Sequence, residues 1–195
     1  MELRKELKEH IPGLTLLPFF LKALSLAMNE YPIMNSIVDP EVDGDGYIKE
    51  YVIKKDHNYA VAIDSDHGLM TPNIKKINDK SILTINTELR ALIEKTQKNT
   101  LVQADFDDAT FSVSSVGNIG GRYFVPTILR PQTSIIAIGK SVKTPKWENN
   151  NWVPIDNISF SITADHRILD GATVARFSQR MKHYIENPNI MMITI

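Results

Sequence analysis

Apolar residues recur every three or four positions in three stretches of the chain, and this spacing predicts three helices. The first begins near Pro18, which suits a first helical turn, and Pro32 ends it. The second begins at a cap formed by Asp79 or Ser81, and the third begins after Gly171. The faces predicted to be buried are Phe20, Ala23, Leu24, Ala27, Met28 and Tyr31, then Ile82, Ile85, Leu89, Leu92 and Ile93, then Val174, Phe177, Met181, Tyr184 and Ile185.

Between these helices the chain is rich in β-branched and aromatic residues, which is typical of strands. The strands and helices do not alternate strictly, so we predict an α/β fold, a two-layer sandwich in which helices pack on a mixed β-sheet. No Gly/Ser/Pro-rich linker divides the 195 residues, which indicates one domain. The predicted strands cover residues 47–54, 59–64, 110–115, 134–142 and 158–163.

Composition and charge narrow the classes of function. With 43% hydrophobic and 23% charged residues the chain is expected to be ordered, and its scattered basic residues and net charge of −1 indicate neither nucleic acid nor an anionic membrane as a partner. The absence of cysteine excludes disulfides, thiolate metal sites and a cysteine nucleophile. The longest apolar stretch, residues 14–28, contains Pro18, Lys22 and Ser25 and is too short and polar to span a bilayer. We therefore predict a soluble, intracellular protein.

The stretch from Ser159 to Ala172 combines a predicted strand with a polar turn and the start of a helix. His166 stands where the strand ends, and a histidine there can project into a cleft and transfer protons near neutral pH. Asp170, four residues later, could orient the imidazole or lock the loop, and Gly171 permits a sharp exit. The same residues could instead form a salt-bridged turn with Arg167, and the pattern alone favours neither reading.

A second polar stretch follows the predicted strand that ends at Ser114 and Ser115. The paired serines, with glycines at positions 117, 120 and 121, leave hydroxyl groups and bare backbone that can donate hydrogen bonds to an oxyanion. A serine nucleophile is not indicated, because the sequence has no strand–turn–helix Gly-x-Ser-x-Gly elbow here. Taken alone, the stretch is read better as a glycine-rich turn in which Ser114 faces water.

An acidic stretch at residues 39–50 imitates the spacing of a calcium-binding EF-hand loop, with Gly44 in the sixth position. Gly46 occupies the position where that loop needs a branched apolar residue, and the following residues read as a strand rather than a helix. The stretch therefore predicts an acidic hairpin tip. The other histidines share no ligand spacing, so no metal site is predicted. They are His10, His57, His67 and His183.

An ordered series of segments over nearly the whole chain resembles the catalytic domain of the dihydrolipoyl acyltransferases. The pattern His-x-x-x-Asp-Gly is weak evidence for this family by itself, because chloramphenicol acetyltransferases and other acyltransferases share it. It is strong evidence when the other matching segments precede it in the family's order. The resemblance implies a fold of the chloramphenicol acetyltransferase type and is nearest to the branched-chain and pyruvate members. The matching segments are LPFFLKA at 17–23, YPIMN at 31–35, HNYAVAID at 57–64, GLMTPN at 68–73, TFSVSSVGNIGG at 110–121 and ADHRILDGA at 164–172.

The resemblance also implies a role for each matching residue. His166 matches the general base that takes the proton from a thiol, and Ser114 matches the residue that hydrogen-bonds the tetrahedral oxyanion. Asp170 matches the carboxylate that stabilises the histidine loop. Asp64 and Ile136 fall where the family lines the channel for the pantetheine arm of coenzyme A. Thioester exchange is nearly isoenergetic, so positioning, one base and one oxyanion donor suffice.

The resemblance further implies an assembly. Residues 1–195 would form one acyltransferase catalytic core domain, without the family's lipoyl domain, its peripheral-subunit-binding domain and the first segment of the catalytic domain, which includes an arginine expected to pair with Asp170. In the family the site lies between subunits of a homotrimer, and trimers build a large symmetric core. The apolar end, residues 190–195, fits an intersubunit anchor, and it fits a final edge strand equally well.

The implied partners are the 2-oxo acid decarboxylase and the dihydrolipoyl dehydrogenase of such a complex. No cofactor would be bound by this chain itself, because coenzyme A is a co-substrate and the lipoyl group is carried on a separate domain. The expected location is the cytoplasm of a prokaryote or the mitochondrial matrix of a eukaryote.

Two other functions remain open at this point. A stand-alone O-acetyltransferase of the chloramphenicol acetyltransferase type would move acetyl from coenzyme A to a hydroxyl, but Gly68–Pro72 and the Ala164-Asp165 lead-in weigh against it. A non-catalytic assembly scaffold is the other alternative, and the intact catalytic pattern weighs against that. The acyl group is not identified, although Asn118-Ile-Gly-Gly is more similar to the branched-chain and pyruvate members than to the succinyl ones.

Overall fold

The three predicted helices are present in the computed structural model, which describes residues 6–7, 9–11, 13–39, 41–117 and 119–193. Helix α1 has Pro18 in its first turn, and α2 begins after Ser81, whose side chain accepts a hydrogen bond of 3.1 Å from the backbone N–H of Thr84. No helix among these described residues is long and apolar enough to cross a membrane. The helices are α1 (Leu17–Glu30), α2 (Ile82–Gln97), α3 (Gly171–Glu186) and α4 (Pro188–Ile193).

Five strands form the main sheet, in the order β4-β3-β5-β6-β7. β3, β5 and β6 run parallel, whereas β4 and β7 are antiparallel to their neighbours, so the sheet is mixed as predicted. Two further strands, β1 and β2, form a separate antiparallel pair. The strands are β1 (Ser36–Val38), β2 (Tyr51–Ile53), β3 (Tyr59–Ala62), β4 (Asn73–Ile74), β5 (Phe111–Ser115), β6 (Ser134–Glu148) and β7 (Asn151–Ala164).

Helix α1 lies at the centre of the core that the helices share with the sheet. It contacts α2, α3 and α4, and every residue from Pro18 to Met28 is buried, not only the predicted apolar face. The sheet contributes Val61, Val113, Ile136 and Ile138 to the same cluster. Each large apolar side chain buried in this way contributes roughly 1.5–3 kcal/mol to folding.

Two polar side chains on α1 are buried because the chain around them supplies partners. The Lys22 ammonium donates hydrogen bonds to the carbonyl oxygens of Lys80 (2.9 Å) and Asn78 (3.3 Å), and burial lowers its pKa. The Ser25 hydroxyl lies 2.7 Å from Nδ1 of His57, just before β3. Burial lowers the pKa of His57 to about 4. These contacts tie α1 to the segment before α2 and to the start of β3.

The depressed pKa of His57 should make the fold sensitive to mild acid. An unfolded histidine titrates near 6.5, so the unfolded chain takes up a proton first and the free energy of unfolding should fall as the pH drops from about 6.5 towards 4. The loss should be at most about 3 kcal/mol. Urea unfolding at a series of pH values should show this fall, and a His57→Gln variant should show less of it. An equal fall in both proteins would contradict the assignment.

The C-terminal residues form a helix, so the expected edge strand is wrong. Pro188 occupies the first turn of α4, where a missing N–H is not needed. Met191 is buried against its own chain, whereas Met192 and Ile193 remain 51% and 85% exposed. Ile190 is 38% exposed, and residues 194 and 195 lie outside the described residues. Part of the predicted intersubunit anchor therefore belongs to the core of its own subunit.

The acidic stretch forms the predicted hairpin tip. β1 pairs with β2, and an isolated bridge between Val42 and Ile48 continues the pairing towards the turn. The Asp43 carboxylate accepts hydrogen bonds from the backbone N–H groups of Asp45 (3.0 Å) and Tyr47 (2.9 Å), which fixes the turn. The prediction of a strand over 47–54 holds only for its second half.

Candidate active site

Ser114 points away from the helices because of the alternation along β5. The strand registers place Ser114 beside Ala62 on β3 and beside Ala137 on β6. Val113 faces the helix side and is fully buried in the core, and successive side chains of a strand point to opposite faces. Ser114 is therefore on the face of the sheet opposite the helices, where it is half-buried between two alanines. A hydroxyl among such small neighbours has room to meet a ligand.

Residues 121–132, for which the sequence predicts no helix or strand, cross the same face of the sheet. Lys140 donates its backbone N–H to the carbonyl of Gly121 (3.0 Å), and a Cβ at Gly139 would lie 2.5 Å from the Arg122 carbonyl oxygen. The Thr163 hydroxyl donates to the carbonyl of Pro126 (2.7 Å). The backbone thus approaches β6 closely at a glycine and is then held along β7. This segment therefore covers part of the face that carries Ser114.

His166 lies in an exposed turn directly after β7. The turn is closed by the backbone N–H groups of Ile168 and Leu169, which both donate to the carbonyl of Asp165 (3.0 and 2.9 Å). The Arg167 guanidinium binds the Asp165 carboxylate, with Nε 2.9 Å from Oδ1, and this hydrogen bond holds the pKa of Asp165 below its usual range. The salt-bridged turn considered from the sequence therefore exists beside His166, and the imidazole itself faces outward.

Asp170 begins the helix that follows this turn. Its carboxylate accepts a hydrogen bond from the backbone N–H of Thr173 (2.7 Å) and another from the Thr173 hydroxyl (3.1 Å). The backbone hydrogen bond is the main reason that the pKa of Asp170 is lowered, and nearby Arg176 adds to the effect. Asp170 is thus the N-cap of α3, and its role in stabilising the histidine loop stays a prediction.

Within one chain, Ser114 and His166 are far apart. Ser114 is level with Ala137 on β6, whereas Ala164, at the end of β7, is level with Ser134. His166 is two residues beyond Ala164, so the offset along the strands is about five residues, or roughly 16 Å. Two strand spacings add about 10 Å across the sheet. No thiol could contact both side chains of the same chain.

Asp64 lines a cavity of about 670 Å³ at the far end of β3 and β5. Ser115, Gly117 and Lys140 line it as well, so the cavity adjoins the strand end that carries Ser114. Ile136 is elsewhere: its side chain is 1% exposed and packs in the core between the sheet and α1. In the described chain Ile136 has a packing role, and its contact with pantetheine stays a prediction.

A larger cavity, about 820 Å³, lies at the other end of the same strands and was not predicted from the sequence. Ala60 forms part of its wall, on the face that also carries Ser112 and Ser114. The Ser112 hydroxyl donates to Oε1 of Gln132 (2.5 Å), which also lines the cavity. Charged residues of both signs line this cavity: Lys54, Lys55, Asp56, Asp107, Asp108 and Arg130.

Residues 1–193 match the model of one protein family, described as the 2-oxoacid dehydrogenases acyltransferase catalytic domain. The chain belongs to this family. A Caenorhabditis elegans relative, the mitochondrial lipoamide acyltransferase component of the branched-chain alpha-keto acid dehydrogenase complex, is 42% identical over 192 residues. That match covers 98% of this chain but only 42% of the relative, so the chain spans less than half of the length of that acyltransferase.

Solved structures of family members superpose closely on this acyltransferase domain. One is the Azotobacter vinelandii dihydrolipoamide acetyltransferase, studied for the role of a serine, a histidine and an asparagine in its catalytic mechanism. Another is the cubic core of the pyruvate dehydrogenase multienzyme complex. Each has a TM-score of 0.87 and 29% identity, covering 97% of this chain and 76% of the other.

A chloramphenicol acetyltransferase shares the fold of this acyltransferase domain. Its TM-score is 0.58 at 17% identity, covering 93% of this chain and 82% of the other. This likeness concerns the fold alone, and it confirms the predicted two-layer architecture. Among the described residues of the domain, no group of three or more His, Asp or Glu side chains could hold a metal ion.

Replacing Asp170 should show how much the acyltransferase domain depends on the cap of α3. Asp170→Ala removes both hydrogen bonds to Thr173, so the melting temperature should fall by a few degrees and the turn that holds His166 should loosen. Asp170→Asn is the matched control, because asparagine caps helices about as well as aspartate. Calorimetry and acyl-transfer rates should separate the two variants, and identical behaviour would argue against the capping role.

Proposed function

We propose that this chain transfers an acyl group from a dihydrolipoyl arm to coenzyme A, as a core subunit of a 2-oxo acid dehydrogenase complex. The observation that carries the proposal is a shared spacing. In the Azotobacter vinelandii enzyme the studied serine and histidine are 52 residues apart and the asparagine follows the histidine by four. Ser114, His166 and Asp170 have the same separations here.

The chemistry needs one base and one hydrogen-bond donor. The neutral imidazole of His166 removes the proton from the thiol of coenzyme A, and the thiolate attacks the thioester carbonyl of the acyl-dihydrolipoyl group. The Ser114 hydroxyl donates a hydrogen bond to the resulting oxyanion. When the tetrahedral intermediate collapses, the carbon–sulfur bond to the dihydrolipoyl arm breaks and the leaving sulfur takes the proton from His166. The products are the acyl-coenzyme A thioester and the free dithiol.

The separation of Ser114 from His166 supports a site formed by two copies of the chain. In that arrangement His166 of one copy meets Ser114 of the next, as in a closed homotrimer, where each interface is the same. The cubic core formed by a structural relative supports assembly of such trimers into a larger particle. The decarboxylase and the dihydrolipoyl dehydrogenase of the complex would then be its partners, in the mitochondrial matrix or in a prokaryotic cytoplasm.

Asp64 is proposed to meet the pantetheine arm, because it lines the cavity next to the strand end that carries Ser114. A branched acyl group is favoured among the candidates, since the branched-chain relative is 42% identical over nearly the whole chain. Coenzyme A would be a co-substrate, and the lipoyl group would arrive on a separate domain.

The test compares acetyl-, isobutyryl- and succinyl-dihydrolipoamide as donors to coenzyme A. Formation of the coenzyme A thioester, separated from free coenzyme A by chromatography, should be fastest with the isobutyryl donor. A parallel reaction offers acetyl-coenzyme A and chloramphenicol, where no acetyl transfer is expected. If no donor yields a coenzyme A thioester in a correctly folded sample, the proposed function is wrong. Transfer only to the hydroxyl acceptor would favour the alternative enzyme.

A further inference from the structure

One arginine lies on the face of the sheet that carries Ser114, and the reaction described above gives it no role. Arg122 belongs to the segment that crosses this face, and it is half-buried. It lines a small cavity together with Ala137 of β6 and Ser161 of β7. Ala137 is level with Ser114 on one side and with Ser161 on the other. The cavity beside Arg122 therefore begins at the strand next to Ser114.

The surrounding chain holds Arg122 in this position. The carbonyl oxygen of Gly121 accepts a hydrogen bond of 3.0 Å from the backbone N–H of Lys140. The Arg122 backbone lies so close to Gly139 that a Cβ there would be 2.5 Å from the Arg122 carbonyl oxygen. The guanidinium carbon lies 5.2 Å from the centre of the Tyr123 ring, within the range of a cation–π contact. The backbone and the tyrosine ring together position the guanidinium.

The guanidinium of Arg122 has no anionic partner among the described residues. The ion pairs formed within this part of the chain do not include it. Its Nε is buried without a hydrogen-bond partner. A buried N–H group without a partner is destabilising, and folded proteins usually supply one. Arg122 therefore has hydrogen-bonding capacity that the described residues do not use.

The size and place of the cavity limit what Arg122 can bind there. Its volume is about 40 Å³, which is enough for a water molecule or for an oxygen atom of a ligand. The phosphate groups of coenzyme A lie at the far end of the pantetheine arm from the reacting sulfur, so they do not reach a cavity beside Ser114. The group of the reaction that fits is the carbonyl oxygen of the thioester.

We propose that Arg122 is a second hydrogen-bond donor to the oxyanion, beside Ser114. The inference rests on the proposed function, because the oxygen that Arg122 binds belongs to the thioester of that reaction. Adjacent strands are about 4.8 Å apart and a hydrogen bond is about 2.8 Å long, so one oxygen above Ala137 can accept from both side chains.

The charge of Arg122 adds to this hydrogen bond. As the sulfur of coenzyme A bonds to the carbonyl carbon, the π electrons of the carbonyl move to its oxygen, and the negative charge forms beside the guanidinium. A charged donor in a water-poor site stabilises such a charge more than a neutral donor does. Arginine keeps its proton, so proton transfer stays with His166.

Two neutral variants, Arg122→Met and Arg122→Gln, test this role in the assembled protein with isobutyryl-dihydrolipoamide as the donor. Each should lower the turnover number by about 10²-fold and leave the Michaelis constant for coenzyme A nearly unchanged. Light scattering identifies correctly assembled variants, and either one is sufficient if the other does not fold. Arg122→Lys keeps the charge but not the planar set of donors, so it should recover part of the loss. Arg176→Met is the matched control, because it removes the same side chain from an exposed position on α3 and should keep normal turnover.

A packing role for Arg122 predicts a different result. If the side chain only supports the Tyr123 ring, the neutral variants should have lower melting temperatures and normal turnover, and that would overturn the proposal. An increase confined to the Michaelis constant for coenzyme A would overturn it as well, because Arg122 would then bind the substrate without stabilising the oxyanion. A lysine variant as slow as the methionine variant would contradict the role of the charge.

Combining Arg122→Met with Ser114→Ala gives an independent check. Two donors to one oxygen act as a unit, so the combined loss of turnover should be smaller than the product of the two single losses. Losses that multiply would show that the two residues act separately. Normal transfer by both the unmodified protein and Arg122→Met would refute the role of Arg122 alone, whereas no transfer by the unmodified protein would refute the proposed function itself.

Discussion

Replacing His166 with alanine should lower the turnover number for acyl transfer by about 10²–10⁴-fold, the usual loss when a general base is removed. The side chain is exposed in the isolated chain, so its removal costs little buried area and the particle size should not change. Without the imidazole, only the small fraction of coenzyme A that is already a thiolate can attack. Steady-state kinetics and light scattering on the same preparation provide the measurement.

His183→Ala is the matched control for this variant. His183 is also an exposed histidine and follows in the next helix, α3, so its replacement removes the same imidazole side chain. We expect it to keep normal turnover. Near-normal turnover of His166→Ala in a correctly assembled sample would show that His166 is not the base. The rate of the His166 variant should also rise more steeply with pH, since it then depends on solvent to ionise the thiol.

The ends of the strands that carry chemistry were predictable because hydrophobic alternation stops there. β5 ends at Ser115 and β7 at Ala164, each within a residue of the predicted end, and α3 starts at Gly171. The polar residues that follow these strand ends do not belong to the apolar pattern that the core requires. A pattern that stops at a polar cluster therefore locates a site even when it does not identify the reaction.

Which face of the sheet a strand residue occupies depends on the strand register, and the register could not be determined from the sequence. Ile135, Ile136, Ala137 and Ile138 are all small or apolar, so no alternation shows which of them faces the helices. The structure buries all four, with Ile136 in the core. Parallel strands that are covered on both faces appear in the sequence as continuous apolar runs. Ile136 could therefore be matched to a position in the family, but the sequence did not show which face of the sheet its side chain occupies.

The outer part of the β6–β7 hairpin, residues 143–157, was not predicted because its sequence contradicts a strand. Pro145 and Pro154 lie inside the two strands and oppose each other in the ladder, and proline within a run argues against a strand. The structure tolerates them because this part of the hairpin has no third strand, so an outward-facing backbone position needs no N–H donor. Residues 143–157 also mix charged and apolar side chains, as a ribbon exposed on both faces does.

Replacing Ser114 with alanine should lower the turnover number by about 10²–10³-fold, because one oxyanion donor is lost. The Michaelis constant for coenzyme A should change little, since the hydrogen bond strengthens only as the carbonyl oxygen gains charge. Ser112→Ala is the matched control on the same strand and face: its hydroxyl is already bonded to Gln132, so its removal should affect stability, by about 1 kcal/mol, and not turnover. An effect confined to the Michaelis constant would make Ser114 a binding residue instead.

The same variant tests whether two copies share a site. Ser114→Ala chains keep His166, and His166→Ala chains keep Ser114, so each is inactive when assembled alone. If the two proteins are unfolded together and reassembled in equal amounts, about a quarter of the interfaces should combine an intact His166 with an intact Ser114. Turnover should then rise to roughly that fraction of the unmodified protein's. If the site were contained within one chain, mixing would restore no turnover, because every chain lacks either the imidazole or the hydroxyl group. Recovery therefore distinguishes the shared site from a local one without any knowledge of the particle's size, and it agrees with the roughly 16 Å offset that the strand register imposes between the two side chains.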